Sequence, residues 1–264
     1  MKKKLKRIKE ALKNSSKASL WTYIILRLLI IFCLVRELFN GNYENALLCV
    51  LSLLLFLLPA FIERKFKIDF PTILEIIVYL FIFSAEILGE INNFYGVFSN
   101  FDNILHTLNG FLAASIGFSL IYLLNENIES FKLSPLFVSI VAFCFSMTIG
   151  VAWEFFEYGM DNLLGLDMQK DEYVYNINTV TIDSEFDNNV IKIDNVDYTI
   201  LYDSNNNELV KLDGYLHIGL HDTMKDLLVN FIGALIFSVF GYLYILNDKK
   251  YNIAGKFLTK RKNS

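Results

Sequence analysis

Six stretches of 17 or more residues are predominantly apolar: Leu20–Phe39, Ala46–Ile62, Ile73–Ile91, Ile104–Leu124, Leu133–Glu157 and Thr223–Leu246. A helix rises 1.5 Å per residue, so each is long enough to cross a hydrocarbon layer of about 30 Å. Backbone in hydrocarbon must satisfy its own hydrogen bonds, and within one segment only a helix does so. A soluble fold of 264 residues needs more polar surface than a chain that is 54% hydrophobic, with 24 phenylalanines and three prolines, can give. Disordered, collagenous and disulfide-rich secreted classes fall to the same composition. The expected fold is an all-α polytopic membrane protein of about six transmembrane helices. No internal repeat is evident.

Basic residues set the orientation. Of the 24 Lys and Arg, eight lie in residues 1–19, three in the Glu63–Phe70 loop, one in Asn125–Lys132 and six from Asn247 onward. Those 18 share one side of the six-span topology, and the other side carries three, all in the segment between the fifth and sixth spans. The positive-inside rule places both termini in the cytoplasm. The first span follows a basic segment but lacks a small-residue cleavage site, and Arg36-Glu37 lies at its end. It reads as a retained helix, not a cleaved leader.

The organisation that follows is a basic amphipathic cytoplasmic segment (1–19), five spans (20–157), an outer insertion (158–221), a sixth span (222–246) and a basic cytoplasmic tail (247–264). Leu5, Ile8 and Leu12 form one stripe of the first segment, which reads as an interfacial helix on anionic lipid. Its lysine run is short and lacks interleaved aromatics, so no nucleic-acid partner is expected. The insertion holds twelve Asp and Glu against three Lys. Short β-prone runs, Val180–Ile182, Val190–Ile193, Tyr198–Tyr202 and Leu209–Leu212, alternate in it with turn signals such as Asp203-Ser204-Asn205. A small extracytoplasmic β-rich insertion is expected, its acidic surface solvated. Cys33, Cys49 and Cys144 lie inside apolar runs without metal-ligand spacing and read as small hydrophobes.

Ionisable side chains inside spans cost about 2.5–3.5 kcal/mol each at mid-helix on insertion scales, so their placement carries information. Asp102 and His106 open the fourth span one turn apart, Glu154, Glu157 and Asp161 close the fifth, and Asp222 and Asp226 open the sixth. The topology puts all of them near the outer boundary. Helical phase adds a second argument. Asp102, His106, Asn109, Gly110 and Gly117 share a face, as do Ser146, Gly150, Glu154 and Glu157, and Asp222, Asp226, Asn230, Gly233 and Gly241. Small residues mark the faces where membrane helices approach, so the carboxylates are expected to stand above packing seams. Such a cluster needs compensation, because neighbouring carboxylates raise one another's pKa. Two chemistries supply it. A divalent metal ion can be held by His106, Glu154, Asp222 and Asp226, leaving Glu157 and Asp102 for catalysis. Alternatively, carboxyls that stay protonated make a proton or cation site of the kind transporters use. Lys225 and Arg36 lie near the same boundary and can supply part of the charge.

Weaker candidates flank this set. Glu86 and Glu90 share a face of the third span. His217 and His221 have a helical metal spacing, but Gly219 between them argues against a helix there. Arg27 and Arg36 are explained by snorkelling, and Trp153 by an aromatic belt. No Gly-rich phosphate loop, Gly-x-Ser-x-Gly elbow, Cys-x-x-Cys pair or His-Glu-x-x-His helix occurs.

Asp102-x-x-x-His106 with Asn109-Gly110, Trp153-Glu154-x-x-Glu157, and Asp222-Thr223-x-x-Asp226 with Asn230 and Gly233-Ala234 together resemble the YjdF-like family of bacterial inner-membrane proteins. They are more distantly similar to VanZ-like membrane proteins. The resemblance covers Ile73–Leu246 less the insertion. It implies a compact bacterial multi-pass protein in a cell-envelope setting and does not name an activity. Three functions are expected to compete. The first is metal-assisted hydrolysis or transfer on a lipid or envelope precursor, the second a proton- or cation-coupled transporter, and the third an envelope factor presenting the insertion to a partner. The lipid bilayer is the one partner common to all three.

Overall fold

The structure is a computed structural model that describes residues 16–126, 132–165, 167–184, 187–247 and 252–261. The apolar stripe of Leu5, Ile8 and Leu12 on the basic first segment lies outside the described residues. Among the described residues six segments are long and apolar enough to cross a membrane: Lys17–Phe39, Tyr43–Lys65, Thr72–Ile91, Phe101–Glu126, Pro135–Leu163 and Leu220–Leu246. The chain is a helical membrane protein with a minor strand-bearing insertion.

The helices follow locally from their sequences. Helix α1 (Lys17–Phe39) starts where the Ser16 hydroxyl accepts from the Ser19 amide, and α2 (Tyr43–Leu55) starts on the Asn42 side chain in the same way. The second apolar stretch is two helices rather than one. Pro59 lies in the first turn of α3 (Leu58–Phe66), where its missing N–H costs nothing, and the chain re-starts there. Strand β1 (Ile68–Asp69) leads to α4 (Thr72–Ile82), which widens into a π-helical segment, Phe83–Ile91. The short α5 (Phe94–Val97) precedes α6 (Phe101–Glu126) and α7 (Pro135–Leu164). Helix α7 outruns the expected span by about two turns.

In the insertion β2 (Glu172–Val174), β3 (Ile177–Thr179), β4 (Ile191–Ile193), β5 (Tyr198–Tyr202), β6 (Glu208–Asp213) and β7 (Tyr215–His217) lead to α8 (Leu220–Leu246). A 3-10 turn (Ala254–Phe257) and β8 (Lys260–Arg261) follow.

The chain divides into two compact units, Met1–Gly150 with Leu227–Ser264, and Val151–Asp226. The first has two apolar cores. One gathers Leu26, Ile30, Cys33, Cys49, Phe56, Tyr79 and Ile87 from α1, α2, α4 and the π segment. The other gathers Leu112, Ala114, Phe118, Val138, Ala142, Ala234 and Phe237 from α6, α7 and α8. Large apolar side chains such as Phe32 and Leu54 stay exposed, as lipid-facing positions require.

The residues after the sixth span do more than trail. Phe257 packs edge-on against Phe111 and Phe237, with centroids 5.2 and 5.7 Å apart. The Thr259 amide donates to the Ser119 hydroxyl at 2.6 Å, and β8 pairs antiparallel with β1. The apolar Ala254 and Phe257 are buried while Lys256 stays at the surface, so the charge count alone concealed a packing segment.

The second unit holds the insertion. Its strands form separate antiparallel pairs, β2 with β7, β3 with β4 and β5 with β6. Val190–Ile193, Tyr198–Tyr202 and Leu209–Leu212 lie in or overlap strands, but Val180–Ile182 is a turn. There the Thr179 hydroxyl accepts from the Thr181 amide, and the Asp183 amide closes on the Val180 carbonyl, so local hydrogen bonds outweigh β propensity.

Candidate functional site

In the first unit two helices approach closely. A Cβ on Gly110 would overlap the Asn230 carbonyl, and a Cβ on Gly233 would overlap the Thr107 carbonyl, so α6 and α8 meet backbone to backbone. Around that crossing Asn109 Nδ2 donates to Asn230 Oδ1 at 3.2 Å, and the Ser146 hydroxyl donates to the Gly110 carbonyl at 2.8 Å. Gly150 faces the Asn230 amide, and Asn230 is 1% exposed. The small-residue faces read from helical phase are thus the packed faces of α6, α7 and α8.

Asp102 and His106 stand one turn apart on α6, with His106 Nε2 3.5 Å from Asp102 Oδ1. Asp102 lies in the first turn, where the helix dipole favours a carboxylate. The imidazole is largely covered, 12% exposed against 29% for the Asp102 side chain. This is a carboxylate–imidazole pair able to offer one nitrogen and one oxygen to a cation.

Two other polar residues of this unit are committed elsewhere. Arg36 Nε donates to Glu37 Oε1 at 2.6 Å, its Nη atoms reach Asn92, and Asn45 donates to the other Glu37 oxygen. The Arg36 side chain is 41% exposed at the helix end and pairs there with the buried Glu37. Arg27 bonds the Tyr23 hydroxyl and lies over that ring. In the π segment Glu86 is half-buried and Glu90 exposed.

The second unit carries the remaining acids of the predicted set. Glu154, Glu157, Asp222 and Asp226 are 5%, 7%, 6% and 2% exposed. Trp153 Nε1 donates to Glu157 Oε1 at 2.6 Å, so the tryptophan read as an interface anchor also orients a carboxylate. The i, i+4 spacing on one helix was the signal for that pair. Asp222 Oδ2 accepts from the Lys170 amide at 2.8 Å, and Gln169 Nε2 donates to the Thr223 hydroxyl at 2.6 Å. Asp161 accepts from the amides of Met168 and Gln169, which folds the chain back after α7. Lys225 meets Glu172 at 3.3 Å and lies close enough to Asp222 and Asp226 to feel their charge. Nothing in the sequence pattern announced Gln169 and Lys170, because their part is played by backbone amides and a single amide side chain.

Electrostatics outside the spans are mild. Burial first, then the neighbouring Asp171 and Asp161, raise the Asp167 carboxyl, while Lys170 pulls it down. Asp203 is held below its ordinary value chiefly by the side chain and backbone N–H of Asn207, and by Asn205.

A family model described as a predicted membrane protein, DUF2238, matches residues 20–247. No curated protein and no solved structure matches the chain.

Proposed function

The chain belongs to the DUF2238 family of predicted membrane proteins, and from that premise we propose a bacterial cytoplasmic-membrane protein whose outward-facing helix ends bind one divalent cation. Both termini face the cytoplasm, as the basic residues direct, and the YjdF-like resemblance is the source of the bacterial assignment. The ligands are His106, Glu154, Asp222 and Asp226. Asp102 positions His106, and Glu157 serves as general base, its carboxylate held by Trp153.

One observation carries this reading. Four carboxylates of the second unit, Glu154, Glu157, Asp222 and Asp226, are each less than a tenth exposed, and buried carboxylates need a countercharge or a proton. Imidazole nitrogen with carboxylate oxygen suits zinc, manganese or iron. A bound cation supplies a Lewis acid for hydrolysis or transfer at a phosphoryl or acyl centre of a lipid or envelope precursor.

Elemental analysis of detergent-purified protein, loaded with a divalent-metal mixture and desalted, tests it. Metal lost specifically in Asp226→Asn and His106→Gln is the expected outcome. Retention identical to wild type in both variants overturns the site.

A second reading rests on the π segment. Nine π-helical residues place the half-buried Glu86 in the third span, and π-helical turns recur at functional positions. A proton- or cation-coupled transporter would use it. Vesicle uptake abolished by Glu86→Gln, with metal content intact, would favour transport over hydrolysis.

A further inference from the structure

The two histidines that the proposed site does not use come together despite the glycine between them. His217 ends β7 and His221 lies in the first turn of α8. Gly219, at a φ of +60°, turns the chain between them, a conformation that glycine adopts without strain. The helical spacing in the sequence is therefore realised by a strand–turn–helix rather than by a helix. The imidazoles meet all the same, with ring centroids 4.3 Å apart and planes at 86°.

Two features hold the pair in place. His217 stands opposite Glu172 in the β2–β7 register, and the Gly219 amide donates to Asp171 Oδ1 at 3.2 Å. His217 Nδ1 is buried and has no hydrogen-bond partner among the described residues. A buried ring nitrogen left in that state is uncommon, and an absent ion is one of its ordinary explanations. The neighbouring His221 ring is exposed and so free to turn.

We propose that His217 and His221 form a second metal site for a borderline transition-metal ion such as Cu²⁺, Ni²⁺ or Zn²⁺, distinct from the cation site proposed above. Imidazole pairs favour these ions over magnesium or calcium, which take oxygen donors. Two imidazoles on one such ion, with metal–nitrogen distances of about 2.0–2.1 Å, have centroids roughly 5 Å apart. A small outward turn of His221 reaches that spacing. Glu172, opposite His217 in the strand register and paired with Lys225, supplies an oxygen donor on the same strand pair and completes the set with water. The site ties the end of the insertion to the start of the last span, so metal occupancy stiffens that junction. It does not depend on whether the other cation site is correct.

The chain has three histidines, which makes a clean test possible. Full-length protein carrying His106→Gln, purified without a histidine tag, has only His217 and His221 as imidazole donors. One equivalent of Cu²⁺ added to it should give an electron paramagnetic resonance spectrum with coupling to two nitrogens. Adding His217→Ala or His221→Ala should leave one coupled nitrogen and weaken Cu²⁺ binding at least tenfold in equilibrium dialysis. Coupling to one nitrogen or none in the His106→Gln protein overturns the proposal, and so does binding unchanged by both further substitutions. The first reading needs no substitution in the pair itself, so misfolded alanine variants cannot mask the answer. Loss of the proposed α6–α8 cation site would instead appear as metal missing from Asp226→Asn with the two-nitrogen spectrum intact.

Discussion

The helix crossing of the first unit and the loop-lined helix ends of the second solve the same problem by opposite means. At the crossing, glycines let backbone meet backbone, and Asn109, Asn230 and Ser146 share the polar contacts. In the second unit, carboxylates at helix ends take backbone amides from the returning chain, as Asp161 and Asp222 do. One arrangement depends on the absence of side-chain volume and the other on side-chain oxygens that accept from main-chain amides. Substitutions that add size should break the first and leave the second, while substitutions that remove an acceptor should do the reverse.

The largest effect is expected at the crossing. Gly233→Leu forces a side chain against the Thr107 carbonyl, and the backbone cannot swing aside as a flexible side chain would. A loss of about 3 kcal/mol or more is expected, at the top of the range for overpacked interiors. Denaturant unfolding in detergent measures it. An unfolding midpoint within error of wild type would mean that α6 and α8 do not touch there. A smaller effect belongs to the second unit. Asp222→Ala leaves the Lys170 amide without its acceptor and should cost about 2 kcal/mol, whereas Asp222→Asn keeps an acceptor and should cost less. Equal losses in the two variants would show that charge, not acceptance, is what Asp222 provides.

Legibility in the sequence follows the same division. The spans and the faces carrying Gly110, Gly150 and Gly233 rest on periodicities of 3.6 residues and on the thickness of a bilayer. Those constraints act within one segment and can be counted from it. The break at Pro59 was written in the sequence too, but length alone joined the two halves. The partners of Asp161 and Asp222 were out of reach, because main-chain amides leave no trace in residue identity. Val180–Ile182 misled for a related reason. A threonine hydroxyl bonding its own backbone competes with a strand over only two residues, too local for a pattern of alternation to register.

The smallest expected effect is local and depends on pH. Asp203 holds the β5–β6 turn by accepting from the amides of Asn205 and Asn207. Its carboxyl is held below the ordinary value, so the turn's extra stability is present above that ordinary value and disappears as pH falls through the depressed one. Hydrogen exchange at Asn205 and Asn207 should lose protection over that window, and Asp203→Ala should remove the pH dependence. The α6–α8 crossing, which contains no such carboxylate, should show no matching change.

The pairing of β8 with β1 and of Thr259 with Ser119 has a consequence in time. Ser119 and Thr259 are 140 residues apart, and all of α7, the insertion and α8 must be made before they can meet. Until then Phe111 on α6 has an unfilled neighbour where Phe257 will lie. A newly inserted chain therefore waits for its last turn to latch, and a fusion or truncation near residue 259 should show itself first as slow assembly and early degradation.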